Sequence, residues 1–141
     1  MRAIDSISGK FAEVEVSIAV LDENDHPPQF SQNFYNISVS EATAIATPIL
    51  HILTSDQDTG VNAGVSYKLE DENGTLPANF FMEGGSGVLI LKKSLDRETK
   101  PSHLFKVIAT DTGTPPMSSL TYVFVSGTIN CFVNVYHELY L

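Results

Sequence analysis

Hydrophobic and polar residues alternate along most of this chain with a period of two, which is the period of a β-strand with one buried face. The clearest runs lie at 14–20, 35–39 and 65–69, where every second residue is apolar. Apolar segments at 48–54, 80–82, 88–91, 103–109 and 119–125 predict further strands. No segment has the 3.6-residue period of an amphipathic helix.

Short clusters of Gly, Pro, Asn and Asp separate these runs and predict turns. The clearest clusters are DQDTGVNAG at 56–64, EDENGTLP at 70–77, EGGSG at 83–87 and DTGTPPMSS at 111–119. Seven predicted strands then follow residue 30 within about a hundred residues. This pattern predicts an antiparallel β-sandwich.

A faint internal repeat gives the domain organisation. The segment AIDS at 3–6 returns as ATDT at 109–112, which is the spacing of one sandwich domain. We therefore predict the last strand of a preceding domain at 1–21, a linker at 22–29, one complete domain at 30–126 and a divergent tail at 127–141. Pro27 and Pro28 restrict the backbone of the linker, so we expect it to hold a fixed orientation.

The chain is acidic, with 17 Asp and Glu residues against 8 Lys and Arg residues and a formal net charge of -9. This charge argues against a nucleic-acid ligand, because a phosphate backbone is bound by clustered Lys and Arg side chains. Cations are the more natural partners. The 141 residues leave room for one domain of ordinary size and part of another.

Cysteine usage and targeting signals add little. The single cysteine, Cys131, cannot form a disulfide within the chain, so stability has to come from packing or bound ions. The N-terminus lacks the pattern of a secretory signal, and we expect the chain to be a piece of a longer protein. The uncharged stretch at 120–136 is interrupted by Ser, Gly, Thr and Asn, which argues against a transmembrane span.

The acidic residues concentrate in short motifs. Ten of the 17 lie in Asp5, Asp22-Glu23-Asn24-Asp25, Glu41, Asp56-Gln57-Asp58, Asp96-Arg97-Glu98 and Asp111. Calcium takes about six to eight oxygen ligands from carboxylates, amides and backbone carbonyls, and loops at one end of a domain supply such a set. Clustered carboxylates also repel each other unless a cation lies among them. The motifs therefore predict a calcium site.

The loop at 56–64 does not match the calcium loop of helix-loop-helix domains. Asp56 and Asp58 fit the first and third ligand positions of that loop. However, Gly60 stands at the fifth position, Val61 replaces the invariant glycine and Tyr67 replaces the final Glu. The calcium ligands would then have to come from several loops of a β-domain.

Together, the motifs resemble those of the cadherin repeat. The matching segments are Asp22-Glu23-Asn24-Asp25-His26, Glu41 after a strand, Asp56-Gln57-Asp58 with Gly60 and Asn62, Leu95-Asp96-Arg97-Glu98, and Ala109-Thr110-Asp111. These five motifs cover residues 1 to about 126 and are most similar to the Fat-like and protocadherin-like branches. The chain has no tryptophan, which excludes tryptophan strand exchange. The resemblance implies a seven-stranded antiparallel Greek-key β-sandwich.

The resemblance also implies three calcium ions at the junction between two repeats. The ion nearest the complete repeat would take the Asn24 side chain, the His26 carbonyl, Asp56, Asp58, the Asn62 carbonyl and Asp111. The other two ions would take Asp22, the Glu23 carbonyl, Asp25 and Asp58, together with carboxylates from the body of the preceding repeat. Because those carboxylates are missing from this fragment, we expect one weak site. His26 stands where the family usually has Asn.

A second set of acidic residues, Glu41, Asp96 and Glu98, would belong to the next junction. That junction requires another acidic linker near 128–135, whereas the sequence from 126 onward is SGTINCFVNVYHELYL. We therefore expect an incomplete, weak site there. Apolar residues alternate in this tail at 129, 131, 133 and 135 and predict an exposed edge prone to association.

As implied by the resemblance, the chain is a calcium-dependent cell-cell adhesion module on the extracellular side of the plasma membrane. Calcium would rigidify a rod of repeats, the parent protein would be membrane-anchored, and the partners would be other cadherin repeats, bound homophilically or heterophilically. Asn36 and Asn73 each begin an Asn-X-Ser/Thr triplet and are predicted glycosylation sites. Asn73 lies in a predicted loop and is the better candidate.

Two other functions fit parts of the pattern. A calcium-stabilised carbohydrate-binding β-sandwich would need exposed aromatic residues, whereas Tyr67 and Tyr122 fall on apolar faces of predicted strands. A calcium-dependent hydrolase would use paired carboxylates as acid and base, but no nucleophile accompanies them, so we expect no enzymatic activity. The four histidines have no Cys or His partner at metal spacing, which argues against zinc.

Overall fold

The computed structural model describes residues 2–4, 8–9, 11–58 and 60–129. These residues form the strands β1 (Arg2–Ile4), β2 (Phe11–Glu13), β3 (Gln29–Phe30), β4 (Phe34–Ser40), β5 (Pro48–His51), β6 (Thr54–Ser55), β7 (Val65–Glu70), β8 (Phe80–Met82), β9 (Val88–Leu91), β10 (Ser102–Asp111) and β11 (Ser118–Thr128). A short 3-10 turn lies at Gly60–Ala63. Within the described ranges, no helix is long and apolar enough to cross a membrane.

Two packed sheets form the body of the fold, as the alternation predicts. The larger sheet has the order β4-β11-β10-β7 and the smaller has the order β5-β9-β8. The segment predicted as one strand at 48–54 is divided into β5, which pairs with β9, and β6, which pairs with β3. All pairs are antiparallel except β11 with β4. The predicted β-sandwich is therefore confirmed, with one parallel pair inside it.

The core lies between the two sheets and is built from alternate strand residues. In β10, every second residue from His103 to Asp111 is buried, and the residues between them are more exposed. Phe105 and Val107 on this strand meet Leu89 and other apolar side chains of the smaller sheet. Each such side chain contributes about 1.5–3 kcal/mol by leaving water. The same alternation turns the carboxylate of Asp111, the last residue of β10, towards the inside.

The two ends of β11 separate two acidic regions. This strand has 11 residues, which is roughly 35 Å at about 3.3 Å per residue. Near its first residues, the Ser119 hydroxyl donates to the carbonyl of linker residue Pro28. At its last residue, the Thr128 carbonyl accepts a hydrogen bond from the Glu41 amide at 2.9 Å. The linker and Glu41 therefore lie at opposite ends of the sandwich.

The N-terminal segment forms a hairpin rather than the long strand expected from its alternation. β1 pairs with β2 in a ladder that ends at Arg2 and Glu13. Residues 14–20 are not in a strand, and the Val20 side chain is 92% exposed. The prediction of a strand at 14–20 was wrong because alternation creates a strand only where a neighbouring strand pairs with it. Assigning 1–21 to a preceding domain stays a prediction.

The described tail ends shortly after the last strand. β11 continues to Thr128, two residues beyond the domain end predicted at 126. Of the alternating tail residues, Ile129 is described and is 50% exposed. The others, Cys131, Val133 and Val135, lie outside the described residues.

Candidate metal centre at the linker

Asn24 of the linker is buried against the loop that follows β10. Its side-chain amide donates to the two carboxylate oxygens of Asp111, at 3.1 and 3.2 Å, and to the Pro115 carbonyl at 2.6 Å. Gly113 permits this close packing, because a Cβ added there would lie 2.1 Å from the Asn24 Cγ. The Asn24 Oδ1 is buried and has no hydrogen-bond partner among the described residues. This oxygen is free to bind a cation.

Asp111 supplies a buried negative charge beside Asn24. Its Oδ1 accepts hydrogen bonds from the Gly113 and Met117 amides, each at 3.0 Å. Burial raises the pKa of Asp111, but these amides and the Asn24 side chain outweigh it and hold the pKa below the ordinary value. The carboxylate is therefore ionised at neutral pH. In the described part of the chain, no Lys or Arg forms an ion pair with it.

Asp58 holds the other side of the linker through His26. The Asp58 carboxylate accepts the His26 backbone amide at 3.2 Å and lies 3.0 Å from the His26 ring nitrogen Nδ1. The same ring nitrogen lies 2.6 Å from the Asp25 Oδ1. The hydrogen bond with Asp58, followed by the charge of Asp25, raises the pKa of His26 despite partial desolvation. The Asp58 side chain is only 2% exposed, whereas that of Asp25 is 66% exposed.

Further contacts attach the linker to the loop at 56–62. The Asp56 Oδ1 accepts the Asp58 amide at 3.0 Å, whereas its Oδ2 is buried without a hydrogen-bond partner among the described residues. The Asn62 side chain donates to the Asp22 carbonyl at 3.4 Å and to the Asp22 carboxylate at 3.2 Å. Residues at both ends of this loop therefore contact the linker.

The types of donor atom in the linker and in these two loops suit calcium. Two buried oxygens, on Asn24 and Asp56, lack partners, and two buried carboxylates, on Asp58 and Asp111, lack Lys or Arg partners in the described ranges. A buried polar atom left unsatisfied costs about 1–3 kcal/mol, and a buried charge costs more. A hard divalent cation satisfies such oxygen atoms directly. The residues present are therefore suited to a calcium ion.

The remaining predicted ligands of this junction are placed less uniformly. Asp22 and Glu23 are exposed, as Asp25 is. Asn62 was expected to offer its carbonyl, and its side chain contacts Asp22. The structure thus brings Asn24 to Asp111 and His26 to Asp58, while the ligand roles of all these residues stay predictions.

The second acidic set lies together at the opposite end. The Glu41 carboxylate accepts the Arg97 backbone amide, which brings it beside Asp96 and Glu98. Asp96 accepts its own loop's Thr99 hydroxyl at 2.6 Å and the Glu98 amide at 3.0 Å. The Thr99 hydroxyl is the main cause of the lowered pKa of Asp96. These carboxylates are exposed or half-buried, so solvent weakens the repulsion between their charges.

The predicted glycosylation sites are both at the surface. Asn36 is exposed on β4, and Asn73 is exposed in the turn between β7 and β8. The Asn73 backbone amide donates a hydrogen bond to the Asp71 carboxylate, which also accepts one from the Thr75 hydroxyl of the same triplet at 2.6 Å.

One aromatic residue is placed differently from the prediction. Tyr67 is half-buried and its hydroxyl lies 2.6 Å from the Thr54 hydroxyl. Tyr122 is 44% exposed on the outer face of β11, opposite Phe34 in the β11–β4 register. The expectation that Tyr122 faces the core was wrong because β11 carries apolar residues on both faces, and alternation alone does not show which face is inside.

Two features of the site were missed by sequence reasoning. The role of Gly113 depends on a linker residue 89 positions earlier, as the close approach of Asn24 shows. His26 was predicted to contribute only its backbone oxygen, yet its side-chain ring contacts two carboxylates. Its neighbour Asp25 was a visible signal, whereas Asp58 is brought to it by the fold.

Sequence comparison identifies a domain family over most of the chain. A family model described as "Cadherin domain" matches residues 35–126. Protocadherin Fat 2 of Mus musculus is 40% identical over 126 residues, covering 89% of this chain and 3% of that protein. Protocadherin Fat 1 of Homo sapiens is 37% identical over 128 residues, covering 91% of this chain and 3% of that protein. The chain thus spans a small fraction of these relatives' length.

Solved structures give the same result. Mouse Cadherin-23 EC22-24 superposes with a TM-score of 0.78 at 29% identity, over 90% of this chain and 40% of that one. Drosophila N-cadherin EC1-4 superposes with a TM-score of 0.72 at 29% identity, over 90% of this chain and 30% of that one. The all-β fold therefore matches that of solved extracellular repeats.

Proposed function

The chain belongs to the cadherin family, and we propose that it is a calcium-binding adhesion module within a longer extracellular protein. Residues 30–126 would be the complete repeat, 22–29 the calcium-binding linker, 1–21 the end of the preceding repeat and 127–141 a divergent tail. The observation that carries this proposal is the buried linker residue Asn24, which is bound to Asp111 and has one carbonyl oxygen left without a partner.

Calcium would be held mainly by residues of the complete repeat. The candidate ligands are the side chains of Asn24, Asp56, Asp58 and Asp111 and the backbone carbonyls of His26 and Asn62. Two positive charges would cancel the repulsion among these carboxylates, which in the described ranges have only the His26 ring as a cationic neighbour. Asp22, Glu23 and Asp25 would bind further ions together with carboxylates from the preceding repeat.

The contacts of the linker explain how ion binding would become a mechanical property. The linker is attached to the sandwich at Asn24, at His26 and through the Pro28 carbonyl, which accepts the Ser119 hydroxyl. Pro27 and Pro28 restrict the backbone between these points. A cation that joins the linker to the loops at 56–62 and 111–117 would therefore fix the orientation of the preceding repeat relative to this one.

The opposite end would form part of the next junction. Glu41, Asp96 and Glu98 lie together there and are accessible to the acidic linker of a following repeat. Because that linker motif is missing from 127–141, these three carboxylates alone would bind calcium weakly.

Recognition of other cadherin repeats, homophilic or heterophilic, would use the outer face of the larger sheet. Phe34, Leu104, Leu120 and Tyr122 are 41–53% exposed on this face. Glycans at Asn36 and Asn73 would accord with a position on the extracellular side of the plasma membrane. A glycan at Asn36 would cover the β4 edge of this face, so recognition would use the part formed by β10 and β11. A carbohydrate ligand is the second candidate, and the exposed side chain of Tyr122 favours it. Binding of the native chain and of Tyr122→Ala to a cell-surface glycan and to a second repeat separates the two. Loss of glycan binding in Tyr122→Ala would favour the carbohydrate ligand, and loss of binding to the second repeat would favour adhesion.

The proposal is tested by small-angle scattering on this repeat extended through its complete preceding repeat. In about 2 mM calcium, above the dissociation constants of about 0.1–1 mM typical of extracellular modules, the two repeats should form one extended rod, and a chelator should broaden the distance distribution. Asp58→Ala should give the chelator profile even in calcium. Glu72→Gln, which removes an exposed charge outside the site, should behave as native. Identical profiles in calcium and in chelator would contradict the proposal.

A further inference from the structure

The His26 ring nitrogen Nδ1 faces two carboxylates at once. It lies 2.6 Å from the Asp25 Oδ1 and 3.0 Å from the Asp58 Oδ1. The three ligand atoms lie within 4.8 Å of one another, and among the described residues this is the one such group of His, Cys, Asp and Glu. The arrangement is therefore a mixed nitrogen and oxygen donor set, unlike the all-oxygen set that calcium prefers.

Hydrogen bonding alone satisfies this arrangement incompletely. Nδ1 carries at most one proton, and that proton points well at only one of the two carboxylates. A metal ion at the same position contacts all three atoms. Tetrahedral zinc with bonds of about 2.0–2.2 Å places its ligand atoms about 3.3–3.6 Å apart. From the present 2.6 and 3.0 Å, the Asp25 contact therefore has to lengthen by about 0.7 Å and the Asp58 contact by about 0.3 Å.

We propose that His26 Nδ1, Asp25 and Asp58 bind a zinc-class divalent cation, with water as a fourth ligand. Imidazole nitrogen suits zinc and its neighbours in the first transition row, whereas calcium takes oxygen ligands. The ion binds the ring in the tautomer that keeps its proton on Nε2, and any proton on Nδ1 is released. The His26 side chain is 42% exposed, so the ion reaches the ring from solvent.

This site shares Asp25 and Asp58 with the proposed calcium junction, and only its competition with calcium rests on that proposed function. Zinc here ties the linker to the loop at 56–62 through residues of this chain alone. It also occupies two carboxylates that calcium needs, so zinc weakens calcium binding. The spacing of histidines along the sequence did not reveal the site, because Asp58 lies 32 residues from His26.

The test is a titration of zinc chloride into the untagged chain, followed by calorimetry and by imidazole nitrogen NMR. A Cys131→Ser background removes the free thiol, which is itself a zinc ligand. His26→Asn restores the residue usual in the family and removes the ring. His51→Gln is the matched control, since His51 is exposed and its ring contacts the Ser86 carbonyl.

One zinc equivalent is expected, with the His26 Nδ1 resonance moving on binding. Removing a residue that only supports a metal ligand typically lowers the metal affinity about tenfold to a hundredfold. Loss of a direct ligand in His26→Asn should therefore lower the zinc affinity at least about tenfold. His51→Gln should bind as the parent does. The proposal is overturned by equal zinc affinity in His26→Asn and the parent, by movement of another histidine's ring nitrogens instead, or by no zinc binding at all.

The two proposals fail separately. If calcium leaves the scattering profile unchanged while zinc moves the His26 resonance, the calcium junction is wrong and the zinc site stands. If zinc does not bind while calcium extends the rod, only the zinc site is wrong. Where both bind, zinc should lower the apparent calcium affinity of the parent chain, and unchanged calcium affinity contradicts the shared carboxylates.

Discussion

Gly113→Ala tests whether the close packing of Asn24 holds the linker in place. A Cβ at residue 113 would lie 2.1 Å from the Asn24 Cγ and 2.3 and 2.4 Å from its two terminal atoms. Gly113 is not in the left-handed region of backbone conformation, so alanine is tolerated by the backbone itself. The cost of the substitution therefore comes from displacing Asn24.

The magnitude follows from the contacts that Asn24 loses when it moves. Its amide donates to the Asp111 carboxylate and to the Pro115 carbonyl. A hydrogen bond to a charged group contributes about 1.5–3 kcal/mol and a neutral one about 1 kcal/mol. We expect Gly113→Ala to lower the free energy of unfolding by about 2–4 kcal/mol, and to weaken calcium binding because the Asn24 Oδ1 leaves its position.

Urea unfolding with an unchanged m-value measures this loss. Gly85→Ala is the matched control, because a Cβ there meets no atom within 4 Å. Asn24→Ala removes the clashing side chain, so adding Gly113→Ala to it should cost little more. Equal stability of Gly113→Ala and Gly85→Ala, or additive effects of Gly113→Ala and Asn24→Ala, would refute the reasoning.

Two further substitutions test the core and its pH dependence. Leu89→Ala, at a fully buried residue, should lower the free energy of unfolding in urea by about 2–5 kcal/mol. Leu76→Ala, at a residue that is 72% exposed, should change it little. Similar losses in the two variants would contradict the assigned core. Burial, with a smaller contribution from the charge of Lys100, lowers the pKa of His103. Below about pH 6.5 the His103 side chain is therefore protonated more readily in the unfolded chain than in the folded chain. Because the unfolded chain binds more protons, the free energy of unfolding falls as the pH drops. His103→Phe should therefore lose less stability than the native chain between pH 7 and pH 5 in urea unfolding. Parallel losses in the native chain and in His103→Phe would contradict this.

The strands were predictable because their alternation reflects a physical requirement. On β4 and β7 the alternating apolar residues at 35–39 and 65–69 lie on the more buried face of the sandwich, as a sheet with one buried side demands. The same signal failed at 14–20, where the residues alternate but are not in a strand. It also failed for Tyr122, since β11 is apolar on both faces. Periodicity records the side-chain pattern but neither the pairing partner nor the inner face.

The candidate site was predictable in its residue types but not in its contacts. The family motifs placed Asn24, Asp58 and Asp111 in one set, and the structure brings Asn24 to Asp111 and the His26 side chain to Asp58. The contact between Asn24 and Gly113 depends on how the linker folds back onto the loop after β10. Such long-range contacts leave no local pattern in the sequence, so only the coordinates reveal them.

The most direct test of calcium binding at the linker is an amide NMR titration of this chain with calcium. Native chain should show saturable shifts of the His26, Asp58 and Gly113 amides, with a dissociation constant on the order of 0.1–1 mM or weaker, and Asp111→Asn should abolish them while Glu72→Gln retains them. Equal, non-saturating shifts at the linker and at the exposed acidic turn 71–73 would contradict a calcium site built from these loops.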